Sequence, residues 1–408
     1  MKLHLNRCLG VGKLSDLSSL HTLSALGIGL AILCVSTAST AAIVVRPGGS
    51  IQAAVDAASP GETIVVQPGT YYGKSGATEG VRIKKSGIRL IANSDPKMGK
   101  KVILVPNPDG ANKDGILAEP DAWASALDDI QGFTVQGFTV QGFPNNGIKL
   151  EHVNGFKILS NESIDNLENG IQPELSANGL VNRNVSYGSL DSALWVEGGV
   201  NVRVIGNVTH SSVTGLEVTI SKDVVIQNNE SYNNTVGMGL YHPSAASEPA
   251  LPVMENWQVE NNYIHDNNLP NPLPPNTSLA SALPPGGGIL LMGVSKNEIE
   301  HNRIENNGFF GLAVIDFCLA VEGGYDFVAS PWCFANTSGA DPVPRDNVIE
   351  RNTFVNNGTN PVPGHPLSPL AADIVYVVIP ETNAGNCFER NTYTTYMSLF
   401  GNGPDQCL

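Results

Sequence analysis

Three glutamates, Glu151, Glu174 and Glu197, recur at 23-residue intervals, each closing a short run of the form Ile148-Lys-Leu-Glu151. If such runs are adjacent strands, the carboxylates stand ~4.8 Å apart and repel one another. Either one of them keeps a proton at neutral pH, or a cation sits between them. Carboxylates paired at ~5 Å suit retaining glycoside hydrolysis, with Glu174 and Glu197 as the catalytic pair. They equally suit a Ca²⁺ site built from Glu151, Glu174 and Glu197. Glutamates splayed into water are the plain alternative. Trp195, Glu217, Tyr241 and His242 follow in the same part of the chain. With Glu151 they complete a candidate substrate-binding set, in which Trp195 and Tyr241 offer aromatic faces to a sugar ring.

Whether these side chains meet depends on the elements that carry them, and a repeat supplies those elements. Asn161, Asn184, Asn207, Asn229, Asn262, Asn302, Asn352 and Asn391 mark successive units at gaps of 23, 23, 22, 33, 40, 50 and 39 residues. The first gaps give a basic period and the later ones add insertions, as in stacked-repeat proteins. Three places before each Asn the residue is apolar: Ile158, Val181, Val204, Ile226, Val259, Ile299, Ile349 and Phe388. Two places after it stand Ser163, Ser186, Thr209, Ser231, Ile264, Ile304, Phe354 and Tyr393, a second inward column. A third strand follows Gly147, Gly170, Ala193, Gly215, Gly237, Gly288 or Gly311. Period-2 alternation in three short strands with Asn/Gly turns describes one coil of a β-helix. Apolar spacing of three and four, the mark of helical repeats, is missing.

The all-β reading is therefore a single right-handed parallel β-helix of about ten coils. Ser50 to Ala58 has Ser at a helix N-cap and Ile51, Ala54, Val55 and Ala58 on one face, which predicts a short helix capping the first coil. The N-x-S/T sequences at Asn161, Asn184, Asn207 and Asn229 look like glycosylation sites. A stacked Asn, however, bonds backbone and the next Asn, leaving its amide inaccessible. Tyr187, His210, Tyr232 and His265 form an outward aromatic column of the kind that is usually structural.

Lys2, Arg7 and Lys13 precede an apolar run from Ala25 to Val35 and small residues Ser36 to Ala42. Residues 1–42 read as an export signal, leaving 43–408 as the β-helix; an uncleaved anchor is the alternative. Export places the chain outside the cell or in the periplasm, with no membrane span after signal removal. Cys318, Cys333, Cys387 and Cys407 then remain, an even number that suggests two disulfides. Of the three pairings, the two local ones, Cys318–Cys333 and Cys387–Cys407, are favoured. The full chain has 38 acidic and 23 basic residues; removing one acid and three bases with the signal leaves 37 against 20, a net charge of −17. Nucleic acid is excluded as a partner. Strongly anionic polymers are repelled unless a cation such as Ca²⁺ bridges them.

The opening Val45-Arg-Pro-Gly-Gly-Ser-Ile-Gln-Ala-Ala-Val-Asp-Ala-Ala and Gly61-Glu-Thr-Ile-Val-Val-Gln-Pro-Gly-Thr-Tyr71 resemble the first segment of pectin-lyase-like β-helix proteins. Coils with Pro284-Pro-Gly-Gly-Gly-Ile-Leu-Leu-Met292 resemble exported bacterial parallel β-helix repeat proteins, a family without an established activity. The resemblance covers nearly all of 43–408 and implies fold rather than reaction. The Asp-Pro-His-Asp motif of alginate epimerases is absent, as are the clustered aspartates of polygalacturonases and the Arg-x-Pro-x-x-Arg segment of pectate lyases. His265-Asp266 is the nearest fragment, in a turn place filled elsewhere by Asn-Asn or Gly-Ser.

Insertions at 242–252, 269–285, 316–344 and 358–370 flank the Gly-led strand and should wall its outer face. Early coils point Lys149, Glu151, Gln172, Glu174, Trp195, Glu197, Glu217, Thr219 and Tyr241 outward; later ones point Leu290, Met292, Ala313 and Ile315, under the insertions. Two functions follow. The first is an exported monomer that binds a polysaccharide on this face and, if an enzyme, cleaves it as a lyase or glycoside hydrolase. The second is a non-catalytic envelope scaffold that binds a protein partner through the Pro-rich insertions.

Overall fold

The computed structural model describes residues 42–408 except 123–128, 242–254, 276, 279, 318–342, 364–367, 379–383, 402, 405–406 and 408. The proposed signal and the Cys318–Cys333 pair lie outside the described residues. Residues 41–408 form one compact unit. Three sheets of 12, 11 and 10 strands run along it, and each strand pairs in parallel with the equivalent strand of the coil before and after. This is a three-sided parallel β-helix, and the sheet lengths agree with about ten coils.

The inward columns are as expected: Ile158, Val181, Val204, Ile226, Val259, Ile299 and Ile349 are fully buried in one continuous core, against which Phe388 packs. Ser163, Ser186, Thr209, Ser231, Ile264, Ile304 and Phe354 are buried as well. Tyr393 departs from its column and is 47% exposed. Thr392 bridges to Thr353 and Tyr396–Ser398 pairs with Ala372–Val377, so Tyr393 sits in the last layer, where no further strand follows to cover it.

Corner geometry explains the recurrent Asn. Ser160, Arg183, Gly206, Asn228, Asn261, His301, Arg351 and Arg390 hold left-handed backbone just before it. The chain turns there, and the next N–H points along the axis instead of into a strand. The Asn207 side-chain oxygen accepts from the Asn184 backbone N–H and side-chain amide, both at 2.9 Å. Its own Nδ2 donates to the Val181 carbonyl at 3.0 Å and to Asn229 Oδ1 at 3.0 Å. The pattern repeats up to Asn391, so each buried amide is fully used.

A second ladder runs five places later, through Asn234, Asn267, Asn307, Asn357 and finally Asp373. Ser189 and Ser212 take its place in the two coils before Asn234. A third links Asn297, Asn347 and Asn386.

The N-terminal end is closed. The helix Ile51–Ala57, with Ser50 accepting from the Ala53 N–H, lies against the first coil. Buried Gln52 accepts from the Arg82 N–H at 2.6 Å and donates to the Arg82 carbonyl at 3.1 Å. One side-chain amide thereby replaces the strand that the edge Glu79–Ile83 lacks. At the other end Cys387 is bonded to Cys407 with Cα atoms 4.8 Å apart, as the local pairing expects.

Asn207→Ala is expected to lower stability by roughly 1–3 kcal/mol in a urea melt, because buried donors and acceptors lose their partners. Asn207→Gln, with one methylene too many for the corner, does not restore it. A wild-type midpoint for either variant would show that the ladder is not a source of stability.

Candidate functional site

The outer face of the Gly-led sheet divides into two halves. In the later coils Leu290, Met292, Ala313, Val375 and Val377 form a second apolar core with Leu283, against which Leu273 and Ala280 pack. These last three come from the insertion at 269–285, which covers the sheet there as expected. In the earlier coils the face is polar. Pairing of Glu151 with Glu174 and of Glu174 with Glu197 puts the three glutamates in one column, which continues through Thr219 to Tyr241. The neighbouring column runs from Lys149 and Gln172 through Trp195 and Glu217 to Gly239.

The repulsion between the stacked glutamates is relieved from within the sheet. Lys149 Nζ lies 2.7 Å from Glu174 Oε2 and 3.5 Å from Glu151 Oε2. Burial works against the Lys149 charge, but its bond to Glu174 and the two carboxylate charges outweigh that cost and raise its pKa. Glu151 is raised by burial, in spite of Lys149. The expected Ca²⁺ site at Glu151, Glu174 and Glu197 is corrected accordingly. The cation between Glu151 and Glu174 is the Lys149 ammonium, and among the described residues no group of three or more His, Cys, Asp or Glu converges to hold a metal ion.

Glu197 lies beyond that lysine. It accepts from Gln172 Nε2 at 3.0 Å, and burial and the charge of Glu174 push its pKa up to about 7. The other expectation, a carboxyl protonated near neutral pH, thus fits Glu197. Glu217, expected on the outer face as a substrate-binding residue, is only 8% exposed. It accepts from Ser192 Oγ at 2.5 Å, and burial and the charge of Asp191 raise its pKa well above the carboxylate range. Asp191 itself is raised to about 6 by burial and the neighbouring Glu168.

The two aromatic candidates part company. Trp195 is half-buried at the surface of the face, its Nε1–H donating to Thr219 Oγ1 at 2.8 Å. Tyr241 is 2% exposed and is no open platform, which corrects its expected place. Its ring lies across Gly239, where a Cβ would stand 2.3 Å from the phenol oxygen. Burial, then the charge of Glu217, raise its pKa. His242 lies outside the described residues.

Asp191, Ser192, Glu168 and Gly239 were not read from the sequence as site residues. Gly239 left a signal, a missing side chain in an otherwise occupied outward column. Asp191 and Glu168 left little, since turn acids are common on any surface.

The aromatic column is structural. Tyr187, His210, Tyr232 and His265 stack at centroid distances of 4.5, 5.0 and 5.3 Å, so their faces are covered by one another. His265 is held between Asp266 Oδ2 at 2.8 Å and Glu230 Oε1 at 3.3 Å, and it lies on another sheet, away from the glutamates.

A family profile described as a right-handed β-helix region matches residues 146–323 and 246–398. Among solved structures, the A-module of the Azotobacter vinelandii mannuronan C-5 epimerase AlgE4 superposes with a TM-score of 0.59 at 16% identity, covering 88% of this chain and 94% of that one. The AlgE6 A-module from the same organism gives 0.55 at 15%, covering 85% and 94%. A DFA-IIIase from Arthrobacter chlorophenolicus A6 gives 0.48 at 14%, covering 84% and 77%. The two epimerase likenesses establish the fold alone. No curated protein matches the sequence.

Raised carboxyl pKa values predict how stability varies with pH. Between the ordinary Glu value of 4.5 and about 7, the folded chain holds a proton on Glu197 that the unfolded chain has released. Glu217 adds to this at higher pH. Stability should fall as pH rises through that window. Glu217→Gln should raise the melting temperature at about pH 7.5 and flatten its fall from about pH 5, because a neutral amide never needs the proton. An unchanged slope in a thermal melt series would show that Glu217 does not carry a buried proton.

Proposed function

We propose that this chain, which belongs to the right-handed β-helix family, binds a polysaccharide along the outer face of its Gly-led sheet. The observation that carries the reading is Trp195. It is an indole half-exposed in the middle of a rigid sheet, fixed by Thr219 and bordered by carboxylates. An aromatic ring held in this way presents a large apolar surface to the C–H face of a pyranose at little entropic cost. Glu151, Glu174 and Glu197 beside it offer acceptors for sugar hydroxyls. Structural neighbours named as mannuronan epimerase modules support a glycan ligand only by analogy of fold.

Export to the cell exterior or periplasm, read from residues 1–42, agrees with such a ligand and remains part of the proposal. So does chemistry at Glu174 and Glu197. A carboxylate paired with Lys149 stands beside one that titrates near neutrality, and this asymmetry is what an acid–base pair needs. Glu217 and Tyr241 are buried beyond Trp195 and are left out of the binding set.

A glycan array followed by titration calorimetry tests the reading. Trp195→Ala should abolish binding to whichever glycan the wild type retains, with an unchanged circular dichroism spectrum. Glu174→Gln should alter turnover, if reducing ends are released, more than the melting temperature. Full glycan binding by Trp195→Ala, with an earlier melt, would mean that the indole only packs. An envelope scaffold that docks a protein would then be the better reading.

A further inference from the structure

The N-terminal end of the Gly-led sheet differs in charge from the face beyond it. Its first strand, Glu79–Ile83, pairs with Asp114–Ala118, which pairs in turn with Ile148–Glu151. Between this first strand and the capping helix lies a cavity of about 390 Å³. Four cations, Lys74, Arg82, Lys84 and Lys85, line it together with two acids, Asp56 and Glu79. Four of the 20 basic residues in 43–408 thus meet in one place, in a stretch of chain whose net charge is −17.

Their present partners leave part of this charge unspent. Lys85 Nζ donates to the carbonyls of Val55, Asp56 and Ala58 at 3.3, 2.7 and 2.8 Å, closing the end of the helix. Arg82 Nη2 donates to Glu119 Oε2 at 2.7 Å, and Nη1 lies 3.5 Å from Glu79 Oε1. The Arg82 Nε–H is buried and has no acceptor among the described residues. Lys84 pairs with Asp121, a carboxylate that is 70% exposed, and surface pairs of this kind contribute little. The Lys74 ammonium has neither an ion pair nor a hydrogen bond among the described residues. Asp56 accepts from Gln52 Nε2 at 2.8 Å. Buried donors are normally met, and one left open at a cavity of small-ligand size lacks an acceptor.

We propose that this cavity is an anion subsite, taking the carboxylate, sulfate or phosphate group of a ligand that is otherwise neutral. Such a group brings two or more acceptor oxygens and no donor, the complement of Lys74, Lys84 and the Arg82 Nε–H. A neutral hydroxyl gains nothing from the surrounding charges. A polyanion is disfavoured, because the stacked glutamates of the adjoining strands repel its remaining charges. Val55 and Ala77 give the cavity apolar wall for the body of the ligand.

Two sources carry this chemistry, a free small anion and a glycan with a single acidic sugar. Position favours the glycan. By strand register Arg82, Leu117, Lys149, Gln172 and Trp195 follow one another in one outward column. Arg82 therefore stands four strand spacings, ~19 Å, from the indole, within reach of a sugar chain that runs along the axis. The choice of source rests on the carbohydrate reading of this face; the anion subsite does not.

Titration calorimetry of the full chain at low ionic strength decides the matter, with inorganic sulfate, inorganic phosphate, glucuronate, glucose and cellohexaose bearing one terminal glucuronate. The three anions should each saturate a single site, and glucuronate should bind at least about tenfold tighter than glucose, the worth of one charge-assisted contact. The double variant Lys74→Met, Lys84→Met should lose that preference with circular dichroism unchanged. Lys157→Met, an exposed lysine on another sheet, should keep it. No saturable binding of any of the three anions, or equal loss in Lys157→Met, would overturn the subsite. The uronate-bearing hexasaccharide should bind tighter than glucuronate alone, and Trp195→Ala should remove only that gain. A hexasaccharide no tighter than glucuronate, with the anions still bound, would overturn the glycan as the source and assign the site to a free anion.

Discussion

Among the described residues the strands of each coil pair with those of the coil above or below, so no coil is stable by itself. This constraint fixes a spacing of ~4.8 Å along the axis and imposes the same register on every layer. Equivalent positions must then be occupied by side chains that tolerate contact with their own kind. In the interior, Val, Ile and Leu meet that demand. At the corners, where the left-handed turn releases the next backbone N–H, Asn meets it by offering a donor and an acceptor to identical neighbours. Asp373 ends one ladder because the last position needs acceptors alone, and its carboxylate takes the N–H groups of Thr394 and Thr395.

The same enforced register makes the outer face chemically unusual. On an isolated strand three glutamates would spread into water. Stacked in a sheet they cannot, and the chain answers in two ways. Lys149 neutralises the first two, and the acids further along hold protons instead. A gradient results along a single sheet, from paired charges through a fixed indole to unpaired buried carboxyls. Where the gradient ends, apolar residues take over and an insertion covers them. The spacing of side chains on this face is set by the coil spacing.

How much of this could be read from residues differs from element to element. The Asn column, its apolar companion three places earlier and the Gly-led strands were legible because each depends on a repeated local demand. The capping helix was legible for the same reason, from a single N-cap and one apolar face. The second Asn ladder was equally present in the sequence, five places after the first. It was missed because Ser189 and Ser212 interrupt it before Asn234 resumes the pattern. Tyr393 was misplaced because periodicity says nothing of where the last coil stops.

The sequence by itself determined the architecture: strand length, corner chemistry, stacking register and which residues share a column. Those properties are local and repeated, and each coil states them again. Only the tertiary structure decided the chemistry of the face. It decided that Lys149 reaches across a strand to Glu174, that Tyr241 lies over Gly239 rather than standing in solvent, and that Glu217 is dry while Trp195 is not. Charge state, burial and unmet hydrogen bonds depend on distances between side chains on different coils, and a column in a sequence gives their order without giving those distances.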